Sequence, residues 1–178
     1  MSKKRFLIVV DMQKDFVDGA LGTAEAVAIV PAVCERIRKA AADGEKIIAT
    51  LDTHEENYME TSEGRHLPVK HCIRGTEGWK LFKEVEEALG DALRVEKPTF
   101  GSVELPGIIR GNLAEGEEPE IELIGLCTDI CVVSNALLLK ASFPEARISV
   151  RPSCCAGVTP EKHEAALETM RSCQIEEE

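Results

Sequence analysis

Residues 121–131 read IELIGLCTDIC, and the interpretation of the whole chain starts from this stretch. Its first six residues are mostly apolar, which is typical of a buried strand. Residues 132–140 (VVSNALLLK) continue with helical spacing, so Cys131 stands at a strand-to-helix turn. The free N–H groups and the dipole at a helix start favour an anion, which predicts a nucleophilic thiolate and a site for an oxyanion. A buried and inert thiol is the alternative.

The size and charge of the chain exclude several classes of protein. Its 178 residues predict a single domain over residues 1–178. The net charge of −11 argues against nucleic acid and against an anionic membrane surface as partners. The apolar run of residues 6–10 is too short for a signal peptide or a membrane span, so a cytoplasmic protein is expected. Its seven cysteines, an odd number, are expected to be reduced.

Predicted strands and helices alternate along the chain. The strands are residues 6–10, 46–51, 93–96, 121–126 and 147–151, with an edge strand from 175. The helices are residues 24–42 (starting in earnest near Pro31), 79–89, 106–114, 128–141 and 159–172. This alternation predicts an α/β fold: a parallel sheet of about five or six strands with helices on both faces, in one three-layer domain. Residues 53–76 are expected to form a long functional loop.

Several residues outside the main motifs receive structural roles. Trp79 is interpreted as a buried helix residue, and His163 as an exposed residue of the last helix. The acidic residues 115–118 are interpreted as a solvated turn. Cys154 and Cys155, predicted to follow the fifth strand, are assigned to packing, with redox sensing as the alternative.

Polar residues follow four of the predicted strands: Asp11, Asp52, Lys97 and the turn of residues 127–131. The carboxyl ends of parallel strands lie along one edge of the sheet, where ligands bind. An aspartate can take the proton of a thiol and return it to a leaving amine, and a nearby lysine keeps the carboxylate anionic. Asp11, Lys97 and Cys131 are therefore a predicted catalytic set. An ordinary Asp–Lys ion pair at the sheet edge is the alternative.

A second group of polar residues follows the second strand. Asp52 and His54 are separated by one residue at the strand end, and Glu63 and His71 lie further along the same loop. Carboxylate and imidazole ligands together suit zinc, iron or manganese. The sequence therefore suggests a divalent metal site, although an Asp-x-His pair alone is a weak signal.

Three segments, taken in order, resemble the cysteine hydrolases of the isochorismatase-like superfamily: VVDMQKDF with Asp11, VEKPTFGS with Lys97 and GLCTDICV with Cys131. The resemblance covers residues 6–174 and implies an isochorismatase-like, Rossmann-like fold. It implies Asp11 as general acid and base, Lys97 as electrostatic partner and Cys131 as nucleophile. It also implies a non-prolyl cis peptide bond before Cys127 and an oxyanion hole made by the N–H groups of Cys127 and Cys131. Such proteins commonly form dimers or tetramers, so a homo-oligomer is expected.

Within this superfamily the resemblance is greatest to nicotinamidases, which bind a divalent metal, and it implies that zinc is the metal here, with iron or manganese as alternatives. The residues that match their ligands are Asp52, His54 and His71. Glu63 is the expected fourth ligand, although its spacing from His71 is one residue longer than expected, and His66 competes for this place.

The resemblance also suggests walls for a substrate pocket. Phe16 corresponds to the aromatic that packs on the substrate ring, and Phe100 is expected on the opposite side. Pro68 stands where nicotinamidases usually have an aromatic residue. The expected function is hydrolysis of a small-molecule amide through a thioester, with nicotinamide as leading substrate. An N-carbamoyl or ureido compound is the alternative substrate, and a metal-binding or redox protein without turnover is the second class of function.

Overall fold

The computed structural model describes residues 2–178 and contains a six-stranded sheet in which neighbouring strands are parallel. The strands are β1 (Ser2–Val10), β2 (Lys46–Asp52), β3 (Leu93–Lys97), β4 (Glu117–Leu126), β5 (Arg147–Ala156) and β6 (Glu176–Glu177). Their order across the sheet is β3-β2-β1-β4-β5-β6. The predicted α/β fold with its parallel sheet is confirmed. The predicted domain also includes Met1, which lies outside the described residues.

Helices cover both faces of the sheet. They are α1 (Lys14–Val17), α2 (Ala24–Ala42), α3 (Ser62–His66), α4 (Lys83–Leu89), α5 (Leu105–Gly111), α6 (Val133–Ser142) and α7 (Pro160–Ser172). Helices α2 and α4 share a core with one face of the sheet, and α5, α6 and α7 share a core with the other. Within residues 2–178 no helix combines the length and the apolar character needed to cross a membrane.

The continuous apolar runs of the central strands explain the two cores. Alternate residues of a strand point to opposite faces, so a strand covered on both sides must be apolar throughout. In β1, Leu7 and Val9 join the core under α2, whereas Phe6, Ile8 and Val10 join the core on the other face. All five side chains are buried.

The strand order reverses between β1 and β4, where a ligand-binding crevice is expected. The chain proceeds from β1 outward to β2 and β3, and from β4 outward in the other direction to β5 and β6. In an open parallel sheet, ligands bind at the carboxyl ends of the two strands where the order reverses. Asp11 and the turn after Leu126 stand at these two ends.

Helices α2 and α4 differ from their predicted form. Helix α2 begins at Ala24 and contains Pro31, because the Thr23 side chain accepts the Ala26 N–H and caps the helix there. Helix α4 begins only at Lys83, so Trp79 lies in the preceding loop, where its Nε1 donates to Thr53 Oγ1 at 2.9 Å.

Three strands are markedly longer than predicted, and the first of them, β1, begins at Ser2 instead of residue 6. Strand β4 begins at Glu117, so half of the acidic segment 115–118 pairs with β1 instead of forming only a turn. Strand β5 continues to Ala156, so Cys154 and Cys155 lie inside it and contribute to opposite cores. Because the two thiols lie on opposite faces of the sheet, packing is their role and a vicinal disulfide is disfavoured.

Gly125 allows the close approach of β1 and β4 and provides a test of this packing. Its φ is +119°, and an added Cβ would lie 2.2 Å from the Val10 carbonyl oxygen. We predict that Gly125→Ala lowers the free energy of unfolding by about 2–5 kcal/mol in urea titrations, because it adds both backbone strain and a clash. Gly107→Ala is the control: this exposed glycine of α5 has open space around it, so alanine should raise stability by about 0.5–1 kcal/mol. Equal stability of the two variants would contradict the packing described.

Candidate active site

The turn after β4 holds Cys131 at the crevice. The Leu126–Cys127 peptide bond is cis, as the resemblance implied. A π-helical turn, Thr128–Val132, then leads directly into α6, instead of the ordinary helix predicted from residue 128. The Cys127 carbonyl accepts the N–H groups of both Ile130 and Val132 at 3.1 Å, which closes the turn. Cys131 itself is buried, with 4% of its surface exposed.

Asp11 and Lys97 reach the same point from two other strands. Asp11 follows β1 with a positive φ of 48°, and Lys97 is the last residue of β3. The Lys97 Nζ atom lies 2.7 Å from Asp11 Oδ2 and 3.4 Å from Cys131 Sγ. Thr50 Oγ1 donates to Asp11 Oδ1 at 2.7 Å and orients the carboxylate. The structure therefore brings the three residues of the predicted catalytic set together, with all three side chains buried.

The charges of this cluster alter the expected state of the thiol. Burial raises the pKa of Cys131 well above its usual range, and the Asp11 carboxylate adds to the increase, while Lys97 opposes it. The predicted resting thiolate is therefore wrong: desolvation and the Asp11 charge outweigh the effect of Lys97, and the resting group is a thiol. Nucleophilic chemistry at Cys131 thus requires a proton acceptor next to the thiol.

Asp11 has one oxygen suited to that task. Its Oδ2 is completely buried and lies 2.7 Å from the Lys97 ammonium, whereas Oδ1 accepts a hydrogen bond from Thr50. Burial raises the pKa of Asp11, and the charge of Lys97 acts in the opposite direction. Burial alone would lower the pKa of Lys97, but the Asp11 and Asp52 charges raise it, so the ammonium stays protonated. A buried carboxylate with a raised pKa can take up and release a proton.

Four potential metal ligands gather beside these three residues: Asp52, His54, Glu63 and His71. One donor atom from each lies within 4.8 Å of the others. Asp52 Oδ2 is 2.9 Å from His54 Nε2 and 3.5 Å from His71 Nε2. Two imidazoles and two carboxylates converging in a largely buried space fit a divalent cation such as zinc.

Hydrogen bonds on the far side of the ligands orient this cluster. His71 Nδ1 lies 2.8 Å from the Val69 carbonyl oxygen, which directs Nε2 toward Asp52. Although burial raises it, the pKa of Asp52 ends well below its usual range, because His54, His71 and Lys97 stabilise the carboxylate. Asp52 is therefore anionic, the form that binds a metal.

The structure distinguishes between the two candidates for the fourth ligand. Helix α3, which the sequence analysis missed, starts where Thr61 Oγ1 accepts the Gly64 N–H. It brings Glu63 Oε1 to 3.6 Å from His54 Nε2. His66 is exposed at the other end of this helix, with its Nδ1 2.7 Å from the Ser62 carbonyl oxygen. Glu63 thus lies in the cluster and His66 outside it.

Two further side chains hold the site together and were not singled out from the sequence. Gln13 Oε1 accepts the Asp52 N–H at 2.7 Å, and its Nε2 donates to the Asp52 and Trp79 carbonyl oxygens at 2.8 Å. Asp15 Oδ2 accepts the N–H of Cys72, the residue after His71. Both belong to the DMQKDF segment, and the polar residues between its apolar ones were the available signal.

The two predicted aromatic walls differ in position. Phe16 is buried, and its ring centroid lies 5.5 Å from that of His71, next to the ligand cluster. Phe100 is 47% exposed, so it does not belong to the buried part of the site. An open cleft of about 1950 Å³ reaches His54, Glu63 and Lys97 from the surface.

Comparison with known proteins identifies the family of the chain. The Isochorismatase domain family matches residues 5–176 of the chain. The chain belongs to this family. An uncharacterized isochorismatase family protein of Bacillus subtilis, PncA, is 29% identical over 173 residues, which cover 92% of each chain. A nicotinamidase/pyrazinamidase of Mycobacterium tuberculosis is 26% identical over 183 residues, 97% of each chain. The crystal structure of a pyrazinamidase of Pyrococcus horikoshii in complex with zinc superimposes with a TM-score of 0.84 at 32% identity, covering 98% of each chain.

The charge of Asp11 can be tested separately from its role in proton transfer. Asp11→Asn removes a negative charge that raises the pKa of Cys131, while Lys97 remains. The pKa of the thiol should therefore fall, so that alkylation of Cys131 by iodoacetamide reaches half its maximal rate at a lower pH than in the wild type. Asp91→Asn, on an exposed turn, is the control and should leave this profile unchanged. If this pH were unchanged or higher in Asp11→Asn, the result would contradict the electrostatics described.

Zinc binding tests the proposed ligand cluster without any assay of activity. We predict that His54→Ala and His71→Ala each lower zinc affinity more than about 10-fold in a chelator competition, since each loses a direct ligand. Zinc should also raise the melting temperature of the wild type but not of these variants. The exposed His66 provides the matched control, and His66→Ala should bind zinc like the wild type. Loss of binding in His66→Ala, with binding retained in His54→Ala, would contradict the assignment.

Proposed function

We propose that the protein is a cysteine-dependent hydrolase of a small-molecule amide, with nicotinamide as its leading substrate. The observation that carries the proposal is the buried contact of Lys97 Nζ with both Asp11 Oδ2 and Cys131 Sγ. A thiol, a proton-accepting carboxylate and a fixed cation are the groups that nucleophilic acyl transfer needs. The names of the Mycobacterium tuberculosis and Pyrococcus horikoshii relatives support an amide substrate.

In the first half of the reaction, Asp11 Oδ2 takes the proton of the Cys131 thiol as the sulfur attacks the amide carbon. The carbonyl oxygen becomes an oxyanion, and the N–H groups of Cys127 and Cys131 stabilise it in the turn after β4. The C–N bond then breaks, and the proton held by Asp11 passes to the leaving nitrogen. Ammonia departs, and the acyl group remains on Cys131 as a thioester.

In the second half, Asp11 acts as a base once more. It takes a proton from a water molecule as the water oxygen attacks the thioester carbon. Collapse of the second oxyanion breaks the C–S bond, and the proton returns from Asp11 to the sulfur. The acid is released and the thiol of Cys131 is restored. Lys97 stays protonated throughout and balances the charge of Asp11.

Asp52, His54, Glu63 and His71 would hold a divalent metal, for which we propose zinc, the metal named with the Pyrococcus horikoshii structure. When bound, the metal supplies a Lewis-acidic centre that can fix a ring nitrogen or a water molecule close to the thiol. Phe16 lies beside His71 and offers an apolar surface to a flat ring.

The residue at position 68, a proline, bears on the choice between the two candidate substrates. It is exposed in the loop before His71 and provides no aromatic face for a pyridine ring. An N-carbamoyl or ureido amide needs no such face, and it is the second candidate for the same catalytic residues. Assembly as a homo-oligomer and a cytoplasmic location stay predictions.

Release of ammonia from a panel of amides tests the proposal. We expect the zinc-loaded wild type to release ammonia from nicotinamide faster than from N-carbamoyl compounds, and Cys131→Ser to lose about 10³-fold or more in kcat. Cys173→Ser, at an exposed cysteine, should retain full activity.

The other outcomes have distinct meanings. If ammonia is released faster from the N-carbamoyl compounds than from nicotinamide, the N-carbamoyl compounds are the better candidates for the substrate. Activity that survives in Cys131→Ser would refute the thioester mechanism. Failure on every amide by a folded, zinc-loaded wild type would favour the metal-binding or redox protein without turnover.

A further inference from the structure

We propose that His163 is a positioning residue for the oxyanion hole. The inference rests on the proposed function, because it assigns a task within the hydrolysis of an amide at Cys131. The geometry behind it is a hydrogen bond of 2.7 Å between His163 Nδ1 and the hydroxyl of Thr128. Thr128 directly follows Cys127, one of the two residues whose N–H groups would hold the oxyanion.

The Thr128 hydroxyl is buried, so it needs a hydrogen-bond partner within the protein. It is completely buried in the π-helical turn between β4 and α6. A buried hydroxyl without a partner is unfavourable, so the turn is more stable where the hydroxyl meets the imidazole than where it does not. His163 was predicted to be an exposed helix residue, but its ring is half-buried against this turn.

His163 can act as a fixed point because its own backbone is held firmly. Helix α7 begins after Thr159, whose side chain accepts the Lys162 N–H and whose carbonyl accepts the His163 N–H. Close packing leaves little freedom at the start of this helix: a Cβ on Gly157 would lie 2.7 Å from the His163 nitrogen. The imidazole therefore projects from a rigid helical turn.

A second contact joins the same two segments. The Val158 N–H donates to Asp129 Oδ1 at 2.9 Å. Thr128 and Asp129, two successive residues of the turn, are thus both tied to the start of α7. Together the two bonds fix the segment between the Cys127 and Cys131 nitrogens, whose separation and direction decide how well they meet an oxyanion.

Replacing His163 with leucine or with asparagine tests the hydrogen bond to Thr128, because the two new side chains have nearly the same shape but only asparagine is polar. Leucine and asparagine both branch at Cγ, and asparagine places a polar atom as many bonds from Cα as Nδ1 of histidine. We expect His163→Leu to lower kcat for the amide about 10–100-fold, with KM within about twofold of the wild type. His163→Asn should recover most of the loss. Glu164→Ala, on the exposed side of the same helix, is the control.

Alkylation of Cys131 by iodoacetamide separates positioning of the oxyanion hole from general damage. This displacement reaction forms no oxyanion, so its rate in His163→Leu should stay within about twofold of the wild type while kcat falls. Thr128→Val should reproduce the loss, and combining it with His163→Leu should add little, because both remove the same bond. Thr128→Ser keeps the hydroxyl and should stay close to the wild type.

The inference is overturned if His163→Leu keeps the kcat of the wild type, if alkylation slows as much as kcat falls, or if asparagine is as poor as leucine. These outcomes are distinct from failure of the proposed function, which appears as amide hydrolysis that persists in Cys131→Ser or is absent from the wild type. Unfolding midpoints of each variant, with all rates measured well below them, ensure that only folded protein is compared.

Discussion

The buried ammonium group of Lys97 is the interaction on which the arrangement of the site depends. It lies 2.7 Å from Asp11, 3.4 Å from Asp52 and 3.4 Å from the Cys131 sulfur, so three strand ends converge on one cation. A buried carboxylate is costly unless a positive charge or donors surround it. Breaking a buried pair by removing one partner typically costs about 3–5 kcal/mol. The need to surround this cation therefore fixes the relative positions of β1, β2, β3 and the turn after β4.

The same cation links the two halves of the site. Asp52 directs Oδ1 toward Lys97 and Oδ2 toward His54 and His71, so one carboxylate belongs both to the catalytic cluster and to the metal cluster. The thiol, in turn, is held in its neutral form by burial and by Asp11, and in the proposed mechanism it becomes a nucleophile when Asp11 accepts its proton. Burial and the Asp11 charge outweigh the effect of Lys97 on the thiol, which is why the proposed mechanism needs a base rather than a preformed thiolate.

Much of this site could be predicted from the sequence, because apolar runs that end in a polar residue are a strong signal of buried parallel strands. Asp11, Lys97 and Cys131 were found in this way. In a parallel sheet the ends of their strands lie along one edge, so the three residues were expected to be neighbours. What was missed depends on contacts that a linear pattern does not contain. Helix α3 has five residues, too few to show a period, and the proposed role of His163 depends on a partner 35 positions earlier. The state of the thiol also escaped prediction, since it depends on burial in the finished fold.

The most direct measurement for the central claim is the mass of the intact protein, quenched in acid seconds after mixing with an amide that the enzyme turns over. We predict a species heavier by one acyl group, located on the peptide that contains Cys131 and absent from the Cys131→Ser variant. The thioester should accumulate further if deacylation is slowed. Turnover of the amide without any acyl adduct on Cys131, or with the adduct on another cysteine, would contradict the account.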